Sequence, residues 1–347
     1  MKAILPLALM ICALQVAPAS AEWLPGNGTV YPATKGLVRP EDGVALPDGR
    51  IIVADQPHGL RLINADQTIR PFGRFAAAGY VHAPPAEAAP NGVAFTPDGK
   101  HLLVADVFTG AIYRVNIATE ATERVYTHPF GVNTAVADSS GAIWFTQSTR
   151  NAAGPTSHPR LFEPFNSYSA DGALYRLPPP GADGKRGAPR LVLDGLSFAN
   201  GIAIDEARGE FYLAETNKDQ VTAFALSVKH GTLSNPRKLA SVMTPDNIEL
   251  DGEGHLWAAS PVQNALVVID LATGKTDFAF RMQTAAGDQA IETWRQRGLT
   301  GLARLDVLTP AVWGTMPGLI TGVILTPGKG PFYVSGLGDA LVKVERN

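Results

Sequence analysis

An all-β fold, a six-bladed β-propeller, is predicted by three features of this sequence. A two-strand phrase recurs six times, Gly and Pro punctuate the chain at 35 and 27 positions, and long helical periodicity is scarce. The copies are GVALPDGRIIVAD from Gly43, GVAFTPDGKHLLVAD from Gly92, TAVADSSGAIWFTQS from Thr134, GIAIDEARGEFYLAE from Gly201, NIELDGEGHLWAAS from Asn247 and GVILTPGKGPFYVSG from Gly322. Each is an apolar strand, a polar turn and a second apolar strand.

Third strands follow, such as AIYRVNI from Ala111, ALYRLPP from Ala173, VTAFALS from Val221 and ALVVIDL from Ala265, and most units have room for a fourth. Units repeated every ~40 to 50 residues bury between them apolar faces that none could bury alone. A two-sheet sandwich does not predict six equivalent hairpins. The last unit ends at its third strand, ALVKVERN, so a strand within Leu24 to Val38 is expected to complete it and close the ring.

The ends and interruptions of this pattern carry further expectations. Lys2, the apolar run Ala3 to Val16 and the small residues Ala19-Ser20-Ala21 have the form of a signal peptide over 1–21. The mature chain is then 22–347, a single propeller domain, exported to the periplasm or secreted. Its only cysteine, Cys12, would leave with the signal, which excludes disulfides and thiolate catalysis from the mature chain. Two insertions fall near 149–170 and 281–319, the second with a helix around Gln289 to Arg297. Long loops in a repeat fold often serve as lids. A net charge of -3 with mixed signs gives no basic stripe for nucleic acid and no anchor for a membrane, leaving a small-molecule partner and no predicted protein partner.

Innermost strands all run the same way, so the residues just before them converge on one mouth of the channel. These are Glu41-Asp42, Asn91, Asn133, Asn200, Asp246 and Thr321, each with a side-chain oxygen. Singly, such residues often only satisfy a turn. Together they form a ring of carboxylates and amides that suits a hard divalent cation such as Ca²⁺. Loops between second and third strands open on the same mouth and add Asp55, His58, Asp106, Gln147, Arg150, His158, Glu215, Asn217, Lys218 and Gln263 as candidates for substrate contact or proton transfer. His101 and His255 read as ordinary strand residues, His128 and His230 carry no signal, and Trp144 and Trp257 read as packing aromatics.

The segment LDGLSFANGIAIDEARGEFYLAETNKDQVTAFAL, then TPDNIELDGEGHLWAAS, and RPEDGVALPDG around Glu41 resemble the signatures of the regucalcin/gluconolactonase-like (SMP-30-like) family, whose relatives include paraoxonases and strictosidine synthase-like proteins. The resemblance spans nearly the whole mature chain and is densest from Leu193 to Ser260. It implies a calcium-type divalent cation held by Glu41, Asn133, Asn200 and Asp246, with Asn247 a further contact. Asn91 stands where paraoxonase-like enzymes have a catalytic His, and Thr134 where they have an Asp for a second calcium. Both departures favour the regucalcin-like mechanism. The expected function is metal-dependent hydrolysis of a small lactone or ester. Asp246 is the first choice of base and His58 or His158 the alternative, with Asn91, Asp106, Arg150, Glu215 and Asn247 as substrate contacts. Two alternatives stay open: a metal-stabilised, non-catalytic binding module, and isomerase, lyase or strictosidine synthase-like chemistry at the same site.

Overall fold

The computed structural model describes residues 28–84 and 87–346, so the signal segment 1–21 lies outside the described residues. Six four-stranded antiparallel sheets make six blades. Blade 1 is β2 (Gly43–Ala45), β3 (Ile51–Asp55), β4 (Gly59–Ile63) and β5 (Ile69–Phe72); blade 2 is β6 (Pro90–Phe95), β7 (His101–Asp106), β8 (Ala111–Asn116) and β9 (Thr122–Thr127). Blade 3 comprises β10 (Ala135–Ala137), β11 (Ile143–Gln147), β12 (Gly172–Leu177) and β13 (Arg190–Leu196). Blade 4 follows with β14 (Ala199–Asp205), β15 (Glu210–Glu215), β16 (Gln220–Ser227) and β17 (Thr232–Ser241). Blade 5 has β18 (Ile248–Leu250), β19 (His255–Ser260), β20 (Ala265–Asp270) and β21 (Thr276–Arg281). The chain ends in β22 (Ile320–Leu325), β23 (Phe332–Gly336) and β24 (Leu341–Val344), and β1 (Gly28–Tyr31) pairs antiparallel with β24 to complete blade 6 and close the ring.

The second strands read as unbroken apolar runs because both faces of each blade are covered. In β3, Ile52 and Ala54 pack toward blade 2 with Val93 and Val104, while Ile51 and Val53 pack toward blade 6 with Ile324 and Tyr333. One apolar layer of this kind fills every blade junction. Full burial of each such side chain contributes about 1.5–3 kcal/mol. Hairpin turns are fixed by their aspartates: Asp98 Oδ1 accepts from Lys100 N–H at 3.0 Å, and Gly99 supplies the left-handed φ of +65° that the turn needs.

The two insertions are structured. The first carries the short helices α1 (Ser157–Phe162) and α2 (Pro164–Ser167) between β11 and β12. The second carries α3 (Ala285–Thr300) and α4 (Pro310–Trp313) before β22. Helix α3 extends beyond the expected 289–297 because Thr284 Oγ1 caps it by accepting from Gly287 N–H at 2.8 Å, and Gly301 ends it at φ +68°. Among the described residues no helix is long and apolar enough to cross a membrane.

Candidate functional site

Six strand entries converge as the repeat requires. Glu41, Asn91, Asn133, Asn200, Asp246 and Thr321 all line one cavity, whereas Asp42 lines a second one with Thr134, Asn247 and Glu249. Three of these residues, Asn91, Asn200 and Thr321, are each followed by a glycine pressed against the adjoining blade. At Gly201 an added Cβ would lie 2.7 Å from both Asp246 O and Ile248 N, so only glycine lets blades 4 and 5 meet this closely.

Backbone bonds between blades hold the ring rigid. Gly92 N–H donates to Asn133 O at 3.0 Å, and Asn247 N–H to Thr321 O at 3.1 Å. Thr146 Oγ1 donates to Asn200 O at 2.7 Å. Thr321 Oγ1 and Ser335 Oγ donate to Glu41 O at 3.1 and 3.0 Å, fastening blade 1 to blade 6 at the site itself.

The side chains on this ring are buried, and several are incompletely partnered. Asn200 donates through Nδ2 to Thr216 Oγ1 at 3.1 Å, while its buried Oδ1 has no partner among the described residues. Asn133 Oδ1 accepts from Thr134 Oγ1 at 3.1 Å, and Asn247 Nδ2 donates to Glu41 Oε2 at 3.1 Å. Burial pushes the Glu41 carboxyl up to about 7, against the pull of the Arg39 guanidinium. Burial and then the neighbouring Glu41 hold Asp246 well above the usual carboxylate range. Two carboxyls forced upward, with an amide oxygen left bare beside them, present oxygens that a hard cation would satisfy. The donor set Glu41, Asn133, Asn200 and Asp246 therefore fits a calcium-type ion. Among the described residues no group of three or more His, Cys, Asp or Glu side chains is placed to hold a metal ion; the set named here has two carboxylates and two amides.

Other sequence candidates are placed at varying distance from this floor. Asn91 lines the cavity with its Oδ1 held by Arg39 Nη2 at 3.0 Å, and Asn247 supports Glu41. Asp106 and Glu215 turn back into their own loops: Asp106 Oδ1 accepts from Phe108 and Thr109 N–H at 3.0 and 2.9 Å, and Glu215 accepts from Ser197 N–H and Lys218 Nζ. His58 is tied to Asp55 Oδ1 at 2.7 Å and to Arg61 in blade 1. His158 meets Phe108 at a tilt and Phe162 edge-on, at ring distances of 5.3 and 5.2 Å. Arg150 is exposed, and its backbone N–H meets Asp171. None of Asp106, Glu215, His58, His158 and Arg150 lines the cavity.

Two contributors escape a sequence reading. Arg39 lines the cavity in a left-handed backbone conformation, φ +55°, with its guanidinium 5.8 Å from the Phe108 ring; its place just before Pro40 and Glu41 is the only local signal. The second is the cavity wall. Leu161, Phe162 and Phe165 come from the first insertion, and Trp294, Leu305 and Leu308 from the second. The insertions grip each other: Tyr168 Oη donates to Arg297 O and Leu302 O at 3.1 and 2.8 Å, and Asn166 Oδ1 accepts from Arg304 and Leu305 N–H, both at 3.0 Å.

Residues 123–286 match the family described as the SMP-30/gluconolactonase/LRE-like region. No curated protein sequence matches the chain. Among solved structures, the fold is similar to that of a gluconolactonase from Xanthomonas campestris, at 20% identity and a TM-score of 0.60 over 90% of this chain and 87% of that one. It is similar to a putative gluconolactonase at 14% identity and a TM-score of 0.59, covering 94% of each chain. A luciferin-regenerating enzyme aligns at 14% identity and 0.57, over 92% of this chain and 95% of that one.

Proposed function

We propose, for a chain that belongs to the SMP-30/gluconolactonase/LRE-like family, that it is a lactonase-like hydrolase opening a small lactone or ester with the help of a calcium-type divalent cation. The observation that carries this reading is the cavity floor, where two upshifted carboxyls and the bare Asn200 Oδ1 line one cavity beneath an apolar wall. Glu41, Asn133, Asn200 and Asp246 would hold the ion. When bound, it supplies Lewis-acid polarisation of a carbonyl oxygen.

The chain's own groups do the rest. Asp246 takes a proton from the attacking water, since Glu41 already spends Oε2 on Asn247. The water oxygen bonds to the carbonyl carbon, the bond from that carbon to the ring or ester oxygen breaks, and the proton passes to the leaving alkoxide, giving a hydroxy acid or an acid and an alcohol. The wall from the two insertions gives the cavity an apolar side above the floor. The signal-like segment 1–21 makes the periplasm or the exterior the proposed location.

Hydrolysis of lactones and aryl esters, followed with added Ca²⁺ and with chelator, tests this reading. Turnover should require the ion, and Asp246→Asn should lower kcat by ~100-fold or more, the usual contribution of a positioned base. Near-parental kcat in that variant with metal still bound would remove Asp246 as the base. Activity untouched by chelator would remove the ion.

A further inference from the structure

The cavity has two chemically distinct halves. Its floor is polar, but the side chains above it, Phe162, Phe165, Phe198, Trp294, Leu305 and Leu308, carry one polar atom between them, the buried Trp294 Nε1, which has no partner among the described residues. Four of the six are aromatic, and they pack on one another. Phe165 lies 4.6 Å from Phe198 and 5.9 Å from Trp294 between ring centroids, and Phe162 stacks on Phe165 at 6.4 Å. The wall belongs to an apolar cluster that also includes Val262 and Ile291.

This wall is a built feature, because two insertions about 120 residues apart in sequence must dock to make it. Arg304 is the keystone. It is buried, its guanidinium sits over Trp294 at 4.2 Å and Tyr168 at 4.8 Å, and Nη2 donates to Asn217 Oδ1 at 2.9 Å. Asn217 in turn donates to Pro164 O at 3.0 Å, so the charge braces the outside of the wall instead of the cavity.

A sugar lactone carries a hydroxyl on nearly every carbon, and each one buried against this wall without a partner would weaken binding by roughly tenfold. An alkyl or aryl substituent gains from the same contact. We propose that the substrate is a lipophilic lactone or ester: the carbonyl group rests on the polar floor and an alkyl or aryl substituent fills the aromatic wall. This deepens the hydrolase reading and rests on it for the reaction, though not for the binding preference.

The test uses the purified full chain with Ca²⁺. kcat/KM is measured for γ-lactones with unbranched tails from methyl to hexyl and for D-glucono-1,5-lactone. The ratio should rise by up to about fourfold per added methylene, the equivalent of ~0.8 kcal/mol per buried CH₂, and the sugar lactone should fall at least about 100-fold below the best alkyl lactone. In parallel, calorimetry measures binding of 5-alkyl-2-pyrrolidinones, lactams that this chemistry does not readily open. Their affinity should rise with tail length. Phe162→Ala and Leu308→Asn, both at half-buried positions, should each cut the hexyl-to-methyl ratio by about tenfold. Hydrolysis with no tail dependence, or with the sugar lactone preferred, overturns the inference and leaves the hydrolase standing. Absence of any hydrolysis with tail-dependent lactam binding removes the hydrolase and keeps the lipophilic site. Lactam binding that ignores tail length sinks the inference in either case.

Discussion

At the scale of single residues, the two buried carboxyls of the cavity floor carry an electrostatic cost that the proposed cation would relieve. Glu41 is buried and its carboxyl is raised to about 7, so the folded state holds its proton more tightly than the unfolded one. Stability from this group is present at low pH and is lost as pH rises from the ordinary carboxylate range through about 7. In chelator at pH 8, Glu41→Gln should therefore melt about 2 °C or more above the parent, with the gap closing at pH 5. Saturating Ca²⁺ should reverse the order, because the variant has lost a ligand charge. His128 behaves oppositely. Gln147 Nε2 donates to Asp171 O, which leaves Gln147 Oε1 to accept from His128 Nε2–H at 2.9 Å, and the buried Nδ1 has no partner among the described residues. Burial among Phe145 and Tyr175 holds the imidazole below its usual range, so its contribution is full above about 6.5 and declines as pH falls below that value. His128→Phe should show a smaller melting difference between pH 7.5 and 5.5 than the parent.

Elements set the precision of the site. The entries of β14 and β18 approach so closely at Gly201 that a methyl group would meet backbone atoms at 2.7 Å. Gly201→Ala must push blades 4 and 5 apart, at a cost of about 1–3 kcal/mol, and should displace Asp246 with them. Thermal melts should fall by several degrees, and calcium titration should need more ion to reach the same gain. In the lid, Asn166 joins α2 to the chain after α3 through two N–H groups. Asn166→Ala loosens the wall without touching the floor, so KM for a long-tailed lactone should rise more than kcat falls.

For the whole molecule, the proposed ligands come from blades 1, 3, 4 and 5, so one bound ion ties distant regions of the ring at its axis. An ion at a hundred times its Kd adds about 2.7 kcal/mol to stability. Melting of the parent should thus rise with Ca²⁺ concentration and drop in chelator; equal melting in both, with no metal found by elemental analysis, would end the metal reading. The architecture itself was legible in the chain, because a repeat imposes equivalence: six copies of one hairpin must place six equivalent positions around one axis, and Glu41, Asn91, Asn133, Asn200, Asp246 and Thr321 do share one cavity. Even the closing strand followed from the missing fourth strand of the last unit. Asp55, Asp106 and Glu215 show where that logic stops, since a carboxylate read as belonging to an open rim can instead be taken up by backbone N–H groups, those of Val38, Phe108 and Ser197. Arg39 and the aromatic wall were decided by tertiary structure alone. They depend on a left-handed backbone at one residue and on the docking of two non-repeating insertions, and contacts between segments so far apart leave no period in the sequence to read.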